Sequence, residues 1–94
     1  MTADQIVMRD SMLPIVVAER DATTSWCAAD GRVARVGSSA ALAAAIEKLN
    51  SGAPIAVDSL VRLAATATER KLVHGTLELL ADWQALAVSA EGGV

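Results

Sequence analysis

His74, Glu78 and Asp82 stand at i, i+4 and i+8, so a helix carries an imidazole and two carboxylates on one face, where they could approach a metal ion. Zinc asks for about four well-set ligands with an ordered shell behind them. No further His and no pair of Cys exists to complete such a set, so the expectation is a solvated stripe in which His74 and Lys71 offset Glu78. Covalent chemistry is bounded by the same scarcity. Cys27 would act as a nucleophile only with His74 beside it in space. Next to Trp26 in a strand-like run, an inert buried thiol is expected instead. Neither Gly31 nor Gly52 sits in a GxGxxG or Walker frame, so no phosphate loop is present. Ser38-Ser39 at a helix start offers free N–H groups to an anion, as any such helix does. These residues give no reason to expect a catalytic group, a cofactor or a metal.

Asp58-Ser59-Leu60 is similar to the tripeptide of acyl carrier proteins, whose serine at a helix start receives a phosphopantetheine arm. The flanks depart from that family, because an acidic recognition helix follows its serine and Arg62, Arg70 and Lys71 follow this one. A helix cap is the plainer reading. The formal charge is −3, and no basic residue follows Lys71 whereas Glu78, Asp82 and Glu91 do. Binding to nucleic acid rests on clustered Lys and Arg, so this balance argues against it, and Arg62, Arg70 and Lys71 are all that a DNA-binding reading has. Phe and Tyr are absent, which removes a stacking platform for bases. A single cysteine excludes an internal disulfide and suits a reducing compartment. No apolar run approaches the ~20 residues of a membrane span. The opening MTADQIVMRD has an acid where a signal peptide has a base, so a cytoplasmic chain is expected.

The elements that must position these groups read as α+β: N-terminal antiparallel strands with a hairpin at Asp30-Gly31, then two or three helices packed on one face. All 94 residues form one expected domain, with residues 1–4 and 90–94 disordered. Residues 5–8 and 12–19 are strand-like, the second run holding Ile15, Val16 and Val17 together. Asp30-Gly31 between residues 24–29 and 32–36 predicts a type I′ turn, which sets Ala28 opposite Val33 and Trp26 opposite Arg35. A serine cap precedes a helix over residues 40–50 with Leu42, Ala45, Ile46 and Leu49 on one face. Residues 53–57 are a connector or short strand. Alanine supplies 20 of the 94 residues, and with so little volume from it Trp26 and Trp83 are expected as the only large pieces of an aliphatic core.

Residues 58–89 hold no Pro and a single Gly, and their apolar spacing predicts one long helix capped by Asp58 or Ser59, or two in tandem. Unbroken, that helix would be about 48 Å long, more than a globule of this size can cover. A break near residues 70–75 is the alternative, and Thr66-x-x-Glu69 fits a capping box. Leu72, Leu79, Leu80, Trp83 and Leu86 make the helix apolar over most of its circumference, beyond the stripe that one core buries. The expected function is therefore a non-catalytic interaction module, homodimeric or docked on a larger complex as accessory subunit or inhibitor, with those five residues as the interface and the C-terminal helix as the contact. A small ligand-binding domain or enzyme, with Cys27, His74 and Glu78 as its working groups, is the alternative.

Overall fold

Asp30 and Gly31 have φ of +50° and +79°, the left-handed pair that a two-residue type I′ turn demands. That turn joins β3 (Thr24–Ala29) to β4 (Arg32–Gly37), with Ala28 opposite Val33 and Trp26 opposite Arg35 as the hairpin register requires. A third strand, β2 (Val16–Glu19), pairs antiparallel with β3, giving the order β2-β3-β4. Residues 12–15 stay outside β2; Pro14 has no N–H to donate to a ladder, and the Ile15 N–H goes to the Asn50 side chain. The structure, a computed structural model, describes residues 1–89, so the expected disorder of residues 90–94 lies outside the described residues.

Along β3 the side chains alternate cleanly. Ser25, Cys27 and Ala29 are buried and face inward, while Trp26 is 42% exposed on the other side. This corrects the expectation that Trp26 belongs to the core. The inward Cys27 and Ala29 belong to the same core as α1 (Ala40–Asn50), whose N-cap is Ser39 and whose buried Leu42, Ala45, Ile46 and Leu49 are the predicted stripe.

A second three-stranded sheet has the order β5-β1-β6, built from β5 (Ile55–Ala56), β1 (Ile6–Arg9) and β6 (Leu86–Ser89). The N-terminal strand lies between the last two, so residues 6–9 run beside residues 86–89. At residues 1–4 the Met1 carbonyl lies 2.9 Å from His74 Nε2, and the Asp58 N–H donates to the Ala3 carbonyl.

Residues 58–89 are neither one helix nor a simple helical pair. α2 (Val57–Val61) begins at Ala56 with no side-chain cap, so neither Asp58 nor Ser59 serves as the N-cap. The break falls before Thr66 rather than at residues 70–75. Thr66 Oγ1 accepts from the Glu69 N–H at 3.1 Å and starts α3 (Ala67–Asp82), which passes through Gly75 without interruption. α3 has 16 residues, hence about 24 Å, which its own domain can cover.

Its far end closes in a Schellman motif. The Gln84 N–H donates to the Ala81 carbonyl and the Ala85 N–H to the Leu80 carbonyl, with Gln84 at φ +63° in the place where glycine is usual. Leu86 and the residues after it then leave as β6 instead of continuing the helix. Leu42, Leu49, Leu60, Leu77 and Leu80 are wholly buried. Each such side chain contributes roughly 1.5–3 kcal/mol relative to exposure.

Candidate functional site

α3 buries Val73, Thr76, Leu77 and Leu80, one stripe at the usual i, i+3, i+4, i+7 spacing. Thr76 can sit inside because its hydroxyl donates to the Leu72 carbonyl at 2.8 Å. Spacing alone favours a seam of Leu72, Leu79, Trp83 and Leu86 with Thr76 in line and Val73, Leu77 and Leu80 on its flanks; the buried stripe keeps Thr76 and takes in those three flanking residues. Leu80 and Leu86 are 0% and 4% exposed within the chain's own core, so a partner cannot reach them in the folded molecule. Leu72, Leu79 and Trp83 are half-buried, Leu72 and Trp83 against that core. What α3 shows to solvent is Thr68, Arg70, Lys71, Gly75, Glu78 and Asp82, a polar and small surface.

The residues with chemistry are dispersed or already engaged. Cys27 is fully buried on the inward face of β3, and burial pushes its thiol pKa up. His74 places Nδ1 3.2 Å from Glu78 Oε1 and Nε2 2.9 Å from the Met1 carbonyl, so both ring nitrogens have protein partners. Among the described residues no three of His, Cys, Asp and Glu gather where a metal could be held. Ser39 at the start of α1 accepts from the Ala41 and Leu42 N–H groups and donates to Glu69 Oε2 at 2.8 Å. The Ala41 and Leu42 N–H groups are thus taken by Ser39 itself, and Glu69, accepting from that hydroxyl, joins the caps of α1 and α3. Arg62 is paired with Asp58 at 2.7 Å, and Arg70 donates to the Ala65 carbonyl, while Lys71 makes no ion pair among the described residues. Ser59 is exposed on the surface of α2. No helix among the described residues is long and apolar enough to cross a membrane.

Unpartnered apolar surface lies elsewhere, on the outward face of β2-β3-β4. Val16, Trp26 and Val33 are 52%, 42% and 63% exposed there, and Met12 and Leu13, on the approach to β2, are 96% and 74% exposed. The register puts Val16 and Val33 on either side of Ala28, and Ala18 and Arg35 on either side of Trp26. The Arg35 guanidinium stands 5.8 Å from the Trp26 ring centroid, within cation–π range. Period-two alternation over residues 24–29 could have revealed this face, since it assigns Trp26 and Cys27 to opposite sides whichever is inside.

A trough forms the other feature, running between the open edge of β2 and α1. Two adjoining depressions share Val17 and Ala43, one reaching Glu19 and the start of α1, the other Glu47 and Asn50. At the latter end the Asn50 carboxamide accepts from the Ile15 N–H and donates to the Ile15 carbonyl, both at 2.8 Å. Comparison with protein-family models, with curated proteins and with solved structures gives no match for this chain.

Proposed function

We propose that this chain is a small non-catalytic module that binds another protein, as an accessory subunit or inhibitor of a larger complex. The carrying observation is the apolar outward face of β2-β3-β4, where Val16, Trp26 and Val33 stand exposed, with Met12 and Leu13 also exposed on the approach to β2. A contiguous patch of this kind on a small domain marks a surface with a partner. Trp26 stacked against Arg35 supplies the two residue types most enriched where interface energy concentrates. The non-catalytic part is supported by the buried thiol of Cys27 and by the engagement of both His74 nitrogens. Cys27 as a free thiol fits a cytoplasmic setting.

Capture from a lysate of the source cells tests the reading, with sedimentation of the pure chain alongside. Val16→Asp and Val33→Asp change exposed positions, so the fold should persist by circular dichroism. Wild type is expected to retain a protein in stoichiometric amount, or to self-associate at tens of micromolar, and the double variant to do neither. Equal retention by both forms, or a monomer that retains nothing, ends this reading.

A further inference from the structure

We infer that β2 is a docking edge for an extended segment of a partner protein, one that alternates a central apolar residue with flanking Lys or Arg and lies in the trough between β2 and α1. This names a site for the interaction module proposed above and rests on that reading. The hairpin joining β2 to β3 is closed by the Arg20 N–H donating to the Thr24 carbonyl at 2.9 Å. By the alternation of antiparallel ladders, Arg20, Ala18 and Val16 turn their peptide groups toward β3, and Ile15, Val17 and Glu19 turn theirs away. Asn50 takes the outward N–H and carbonyl of Ile15, doing with one carboxamide what a neighbouring strand does with its backbone. Among the described residues Val17 and Glu19 have no such substitute, so two donors and two acceptors face the trough, an arrangement suited to strand addition.

The walls select the segment. Side chains of an added strand on the inner face alternate past Glu19, past Val17 with Ala43, and past Glu47. Neither Glu19 nor Glu47 has an ion-pair partner among the described residues, and no Lys or Arg lines the trough. Basic residues two positions either side of an apolar one therefore complement it. A second copy of β2 is a poorer occupant, because it brings another Glu19 and Glu47 to an edge that is already acidic.

The probe is a capped peptide with Lys-x-Val-x-Lys flanked by threonines, titrated into the 15N-labelled chain, with Glu-x-Val-x-Glu as control. The Lys peptide is expected to bind saturably, to shift and protect the Val17 and Glu19 amides, and to move Ala43; the Glu peptide is not. Glu19→Lys with Glu47→Lys is expected to weaken binding by about tenfold or more at low salt. Glu19→Pro removes an outward N–H at an edge where proline is tolerated, and should lose more affinity than Glu19→Gln, which removes charge alone. Silence toward both peptides at millimolar concentration overturns strand addition, and so do shifts confined to Trp26 and Val33. If lysate capture still depends on Val16 and Val33, only the edge assignment has failed; if capture is lost as well, both readings fall. Concentration-dependent protection of the same amides without peptide gives the edge to a second copy and also overturns the proposal.

Discussion

Replacing Asn50 by Ala removes the clamp between the end of α1 and the start of β2. Two hydrogen bonds of 2.8 Å are lost, one in each direction, to the backbone of a residue that is only 2% exposed. Each such bond has a net worth of about 0.5–1.5 kcal/mol. Alanine returns roughly 0.5 kcal/mol through its better helix propensity, less at a terminal position. The expected cost is about 1.5 kcal/mol, which for a chain of this length lowers Tm by about 6–12 °C. Thermal and urea unfolding followed by circular dichroism measure it, with an unchanged m-value showing that the compactness of the unfolded state is the same. Ser51→Ala is the control, since its exposed hydroxyl donates to the Lys48 carbonyl and accepts a long 3.4 Å contact from the Ala53 N–H, and it should stay within about 0.5 kcal/mol. An Asn50→Ala variant no less stable than Ser51→Ala would refute the clamp, and with it the reading that β2 has one edge position filled and two open.

Gln84→Gly should stabilise the chain by about 0.5–1 kcal/mol, because a non-glycine residue at φ +63° carries left-handed strain that outweighs the added unfolded-state freedom; urea midpoints that fall instead would contradict the Schellman account. Ser39→Ala and Glu69→Ala are expected to be non-additive by about 0.5–1.5 kcal/mol in a double-mutant cycle, since one 2.8 Å bond joins two helix caps; additivity would mean the caps are independent. Native Cys27 should be silent to a thiol probe at neutral pH and react only on unfolding. Because burial raises its folded pKa, the unfolded chain loses the thiol proton first. The stability Cys27 contributes is full below the unfolded value of about 8.5 and declines as pH rises toward the folded one. The stability gap between wild type and Cys27→Ala should therefore narrow in alkali, and a gap independent of pH would argue against a buried thiol.

The first half of the fold was legible because local chemistry decides it. Asp30-Gly31 dictates a turn that fixes the register of six residue pairs, and Ser39 with the apolar spacing of Leu42, Ala45, Ile46 and Leu49 dictates α1. The C-terminal third was not, for a reason visible at Gln84. A helix stop signalled by glycine would have been read, but this one is made by a glutamine held left-handed through tertiary packing of Ala85 beneath it. Without that stop, Leu86, Ala87 and Val88 extend the helical pattern and inflate its apolar circumference. Thr76, in line with the seam that spacing suggests, does lie in the core, because its hydroxyl returns to the Leu72 carbonyl. The exposed sheet face was missed because scarcity of aromatic residues argued for placing Trp26 inside. The trough is a product of long-range geometry, in which residues near position 17 meet residues near position 47, and no local pattern announces it.

Site-specific photo-crosslinking in the source cells tests the central claim most directly. A benzophenone side chain placed at Val16 or at Val33 is predicted to yield the same covalent adduct with one other protein, and one placed at the equally solvent-facing Thr68 on α3 to yield none. Adducts from Thr68 with none from Val16 and Val33 would contradict the account, returning the contact to the C-terminal helix.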